Sequence, residues 1–180
     1  MQTSRELLLY ANELIDRLRP LEDDRGADFT ERNFKLLELF AAEKNPKLKS
    51  YYRTKSNSKE FLWDFIAWSP NDGIFLACES EQAVHTNSEV ENLKHDFEKL
   101  LYVYAPIRLL MTKAKDRGHA ETLVESLRSY AKGCCLTFNP GAVFIIHFCL
   151  YHNGGNVFYI WQSEGEPHPT KEEELFFRQA

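Results

Sequence analysis

FLWDFIAWSPNDGIFLACESE, residues 61–81, decides how this chain is read. Two apolar runs, 61–68 and 73–81, flank Ser69-Pro70-Asn71-Asp72-Gly73, which carries Pro and Asp-Gly where a hairpin turn needs them. The segment therefore predicts two neighbouring antiparallel strands. In the first, Leu62, Asp64, Ile66 and Trp68 alternate onto one face; in the second, Phe75, Ala77, Glu79 and Glu81 do so. With the turn at 69–73, Asp64 falls in register near residue 78, which sets Glu79 beside it.

Working outward, residues 4–19 read as an amphipathic helix with Leu7, Ala11, Leu14 and Leu18 on one stripe and Ser4 as N-cap. Pro20 ends it. A second helix runs from about 30 to 43 and stops at Asn45-Pro46, and residues 50–55 form a short strand. Beyond the hairpin, 88–104 returns to helical spacing, with Ser88 and Glu91 placed as a capping box. A strand at 107–112 follows, then a helix at 119–131 ended by Gly133. AVFIIHFCL (142–150) and NVFYIWQ (156–162) form a second hairpin across His152-Asn153-Gly154-Gly155. The tail from Gly165 is acidic, with a short helix expected at 170–178. The result is a single α/β domain over 1–180. It has an N-terminal helical extension (1–27), a core of order αβββαβ (28–112), and a helix, hairpin and acidic tail (113–180).

The chain is 43% hydrophobic and 27% charged, the balance of a globular protein. No apolar run approaches the roughly 20 residues that a membrane-spanning helix needs, and the N-terminus lacks a signal-peptide pattern. The expectation is a cytoplasmic protein with no membrane partner. Cys78 and Cys149 lie in apolar runs and read as buried thiols; vicinal Cys134-Cys135 could bind a soft metal or respond to oxidants, but no second ligand pair has zinc spacing. A net charge of −5 argues against coating nucleic acid by bulk electrostatics. The charge is uneven, however. KNPKLKSYYRTKSNSK (44–59) holds six basic residues and no acids. It marks Lys47, Lys49, Tyr51, Tyr52, Arg53 and Lys55 as candidate nucleic-acid contacts, or else as a solvated loop and edge strand.

An aspartate in the middle of an apolar row must pair, coordinate metal or become neutral. Three carboxylates converging at short range, Asp64, Glu79 and Glu81, repel one another unless a cation sits between them, and hard Mg²⁺ or Mn²⁺ suits oxygen ligands. The plainer alternative is that Glu79 and Glu81 mark where the strand leaves the core for solvent. On the following helix, Val90, Leu93, Phe97, Leu100, Leu101 and Tyr104 form an apolar stripe. Lys94 falls inside that stripe, while Lys99 projects with the polar face. A core-facing lysine needs an anion, and the carboxylates closing the preceding strand are the candidates; otherwise Lys94 snorkels to water.

With Asp64 in LWDF, Glu79-Ser80-Glu81 in LACESE and the helix ENLKHDFEKLL (91–101), residues 30–112 resemble the PD-(D/E)xK, or restriction-endonuclease-like, superfamily. Trp63 stands where the motif has Pro, and Glu81 where it has Lys. Some members use Glu there, and others supply the lysine from the next helix, the position to which Lys94 is assigned. The resemblance implies a mixed sheet flanked by helices and metal-dependent hydrolysis of a phosphodiester. Asp64 and Glu79 would hold Mg²⁺ or Mn²⁺, Lys94 would position the water or neutralise charge, and Glu81 would be a further ligand or base. It also implies a nucleic-acid partner, DNA ahead of RNA, and allows a homodimer.

Two rival readings stand beside it. The missing motif lysine and the acidic net charge favour a non-catalytic domain that keeps the nuclease-like fold and binds a protein or nucleic-acid partner. A cysteine hydrolase built on Cys78 or Cys149 with a histidine is the weaker rival. No GxGxxG or GxxxxGK[ST] nucleotide motif is present.

Overall fold

A computed structural model describes residues 2–19, 27–52, 62–81, 87–134, 141–152, 154–162 and 171–177. Two helices, α1 (Ser4–Leu18) and α2 (Ala27–Lys44), precede three strands, β1 (Lys49–Tyr52), β2 (Phe65–Ser69) and β3 (Gly73–Glu81). Helix α3 (Asn87–Tyr102), strand β4 (Ile107–Ala114), helix α4 (Arg117–Gly133) and strands β5 (Val143–Leu150), β6 (Asn156–Gln162) and β7 (Lys171–Phe177) follow. The strands lie in one mixed seven-stranded sheet in chain order, with β3, β4 and β5 parallel to one another and the other pairings antiparallel.

The sheet is sandwiched between helices, as alternating side-chain direction on its strands requires. Leu7, Ala11, Leu14, Phe34, Leu37 and Phe40 of α1 and α2 pack on Phe65, Leu76, Leu109 and Ile145. On the opposite face, Leu93, Phe97 and Leu100 of α3 and Leu123, Val124 and Leu127 of α4 cover Ile66, Ala77, Leu110, Ile146 and Trp161. The runs that link the parallel strands, α3 and α4, thus share one face.

The β2–β3 hairpin forms as its sequence predicts. The Ser69 hydroxyl donates to the Asp72 carboxylate at 2.8 Å and accepts from the Asp72 backbone N–H at 3.0 Å, and Gly73 takes the positive φ of 77° that a side chain would resist. Other expectations are corrected. The N-cap of α1 is Thr3, which forms a full capping box with Glu6, rather than Ser4. Strand β2 begins only at Phe65: residues 62–64 bend, and Leu62 is exposed rather than in an inward row. The expected helix at 170–178 is strand β7, paired to β6 from Asn156↔Phe177 to Gln162↔Lys171. KEEELFF has helix-forming composition, and the open edge of β6 overrides it. Among the described residues no helix is long and apolar enough to cross a membrane.

Candidate active site

Register brings Asp64 and Glu79 together. Phe65 pairs with Cys78, so Asp64, the residue before β2, comes opposite Glu79 near the end of β3. The Asp64 carboxylate is fixed there by accepting the Ser80 backbone N–H at 2.8 Å. Glu79 lies on the α3–α4 face and is 1% exposed. One of its oxygens, Oε2, accepts from the Lys99 ammonium at 2.8 Å, while Oε1 is buried. Asp64 opposite shares a side-chain hydrogen bond with Glu79, so a proton on Glu79 ties the two carboxyl groups together. An orphaned polar atom lies on the same face and at the same end of the sheet: Thr112, paired in register with Glu81, has a buried Oγ1 without a partner.

Lys99 is shared. Its Nζ also lies 2.7 Å from Oδ1 of Asp96, one turn earlier on α3. The indole N–H of Trp63 reaches toward the Lys99 carbonyl at 3.5 Å, linking the bend before Asp64 to the helix that supplies the lysine. Lys94 sits elsewhere. Its ammonium bonds Glu91 of its own helix at 2.8 Å and leaves Glu79 to Lys99. The cation expected among the carboxylates is therefore a lysine of α3, but five residues further on. Glu81 is half-buried at the end of β3, on the face that carries Glu79. Among the described residues no three His, Cys, Asp or Glu side chains form a group arranged to hold a metal ion, so the trio Asp64, Glu79 and Glu81 does not close into a cage.

Burial sets the protonation of this cluster. It pushes the Glu79 carboxyl up to about 9, with the Asp64 charge adding to the effect and Lys99 opposing it. Burial also raises Asp64, against the Ser80 N–H, which favours its ionised form. For Lys99 burial works downward, but Asp96 and Glu79 outweigh it and hold the ammonium above its usual value. Three carboxylates and one ammonium therefore settle with Lys99 charged and Glu79 retaining a proton at neutral pH. A carboxyl raised by folding stabilises the protein fully below its ordinary value of 4.5, and that contribution declines with rising pH until it is gone above about 9. Glu79→Gln, which holds a neutral group at all pH, is expected to gain thermal stability relative to wild type as pH rises from 5 to 9. Paired melting curves in chelator check this, and a gap that is flat across that range contradicts it.

The basic strip divides. Lys47 and Lys49 are exposed. Tyr51 pairs in register with Ile66 and packs on the α3–α4 side, the face of Glu79. Tyr52 turns to the other face, where its ring stacks on Phe65 at 5.8 Å and meets Phe34. Arg53 and Lys55 lie outside the described residues. Of the thiols, Cys78 is buried on the α1–α2 face and its pKa is raised well above its ordinary value by burial, then by Asp64 and Glu79, the reverse of an activated nucleophile. Cys149 is buried on β5, where neighbouring His147 gives Nε2 to the Asn156 amide oxygen at 2.7 Å.

Compared with known proteins, the chain matches no protein-family model, and no curated protein matches its sequence.

Asp64 and Glu79 bring two carboxyl groups to one point, the oxygen chemistry that a hard divalent cation takes, but among the described residues no third His, Cys, Asp or Glu joins them. Lys99, expected on the polar face of α3, is the lysine that meets Glu79, and Asp96 and Thr112, which carry no expectation from the sequence, lie at the same end of the sheet. The i, i+3 spacing of Asp96 and Lys99 was the available signal for that pair.

Proposed function

We propose that the chain is a metal-dependent phosphodiesterase acting on nucleic acid, with a PD-(D/E)xK-like site whose lysine comes from α3. The observation that carries this is the pairing of two buried carboxyl groups, Asp64 and Glu79, opposite one another at the end of adjacent strands, with the Lys99 ammonium on Glu79. The element order αβββαβ within a helix-flanked mixed sheet supports the same reading.

In this reading Asp64 and Glu79 would hold Mg²⁺ or Mn²⁺, which would supply Lewis acidity toward the scissile phosphate and its attacking water. Glu79 must give up its proton to serve as a ligand, so cation affinity rises with pH up to about 9. Lys99, kept protonated by Asp96 and Glu79, offers positive charge to the phosphate rather than a lone pair to the water. Glu81, at the less buried end of β3, would take the proton of the water or serve as a further ligand. Lys47, Lys49 and Tyr51 on the β1 side would meet the nucleic-acid backbone.

One observation favours a second reading. Lys99 already bonds Glu79 and pairs with Asp96 without any added ion, as it would in a non-catalytic domain that keeps this cluster for structure and binds a partner. Supercoiled plasmid and single-stranded DNA and RNA, incubated with the protein and Mg²⁺ or Mn²⁺, separate the two. Cleavage that chelator stops and Asp64→Asn abolishes is the expected result. Intact substrates in every lane, with a folded protein, would favour the partner-binding domain.

A further inference from the structure

The sheet has two outer edges, and they differ in charge. Strand order puts β1 at one end and β7 at the other, and among the described residues no strand pairs with the outer side of either. An unpaired strand edge presents backbone N–H and C=O groups to any extended segment that can match them. The β1 edge belongs to the basic strip, 44–59, which holds six basic residues and no acids, and Lys47 and Lys49 there are exposed. The β7 edge, Lys171–Phe177, carries Glu172, Glu173 and Glu174 in succession.

Like edges therefore repel. Two β1 edges would bring basic residues together and two β7 edges would bring glutamates together, and like charges opposite one another destabilise a strand pair. Unlike edges attract, and their directions agree as well. Strand β1 is antiparallel to β2 and β2 to β3, so β1 runs with β3. Strand β7 is antiparallel to β6 and β6 to β5, so β7 runs with β5. Because β3, β4 and β5 are parallel, both edge strands point the same way. A second copy in the same orientation can set its β7 beside β1 of the first as one more parallel pair, with the two helix layers continuing on matching faces.

We infer that the chain associates head to tail with copies of itself, the basic β1 edge of one pairing with the acidic β7 edge of the next. Such a contact is heterologous, so each added copy leaves a fresh edge. Strand β1 is only four residues long, so the interface is small and the association weak and concentration-dependent. It needs neither a cation nor nucleic acid, and it stands independently of the proposed reaction.

Sedimentation equilibrium of the full chain, without metal or nucleic acid, tests it. Between about 10 and about 500 µM the average mass of wild type is expected to rise from monomer past dimer, and about 0.5 M salt should weaken the association at least tenfold. One variant, Lys47→Glu with Lys49→Glu, reverses the β1 edge. Another, Glu172→Gln with Glu173→Gln and Glu174→Gln, neutralises the β7 edge. Each, once shown to melt as wild type does, should stay monomeric alone. Mixed, the two should form a heterodimer and nothing larger, because each supplies the edge that the other lacks. Wild type that stops at a dimer, or a single variant that still self-associates, would overturn the inference in favour of a contact between like surfaces. Wild type that stays monomeric across the range would overturn it outright.

Discussion

Glu79→Gln is expected to lower phosphodiester cleavage by roughly 10³-fold or more, the scale on which removal of a group that acts on developing charge is felt. The substitution keeps the size of the side chain and offers Lys99 a carbonyl oxygen in place of the carboxylate. It removes the charge that a divalent cation needs. The same change is expected to leave the fold intact and to raise thermal stability at alkaline pH, because the wild-type carboxyl, pushed up to about 9 by burial and by Asp64, is forced to ionise there. Lost activity with gained stability is the signature of a functional group held at a cost to the fold. Parallel cleavage assays and melting curves at pH 8.5 check it. A variant that loses both activity and stability would mark Glu79 as a structural residue.

Lys99→Met is expected to lower cleavage by about 10²- to 10³-fold, while Lys94→Met stays within about twofold of wild type. The contrast follows from where each ammonium rests. Lys99 bridges the buried Glu79 and Asp96, whereas Lys94 pairs with Glu91, a side chain 70% exposed. Surface pairs of the second kind contribute little. Methionine keeps most of the apolar stem, so packing changes less than charge. Initial rates for both variants under saturating Mn²⁺ check this. Equal loss in the two, or loss in Lys94→Met alone, would return the role to the residue that helical periodicity first indicated.

Those two lysines show how far the sequence was legible. The hairpin is readable because turn chemistry fixes register, and register sets Asp64 near Glu79. The succession of helices and strands through β6 was readable for the same reason: hydrophobic period and stop signals agree along 4–162. The lysine was not. A helical projection gives the direction in which a side chain leaves the backbone, and says nothing of how the helix lies on the sheet. Asp96 and Lys99, i and i+3, share the flank of α3 that meets Trp63 and Glu79, and the long lysine stem covers the remaining distance. Lys94, read as core-facing, finds its partner on its own helix instead. Thr112 was invisible for a different reason. It gains meaning only because β4 pairs with β3 and sets it opposite Glu81, a crossover contact that local patterns do not encode. Strand β7 was missed because its run of three glutamates favours helix, and only the waiting edge of β6 makes it a strand.

Calorimetric titration of Mn²⁺ into wild type and Asp64→Asn decides whether the proposed pair, Asp64 and Glu79, holds a divalent cation. Run at pH 7 in buffers of different ionisation heat, the wild-type titration should show saturable binding with release of about one proton, the one that Glu79 holds before binding. Asp64→Asn should show little or no binding. Wild-type protein that melts cooperatively yet takes up no Mn²⁺, or an Asp64→Asn variant that binds it as well as wild type, would contradict the account.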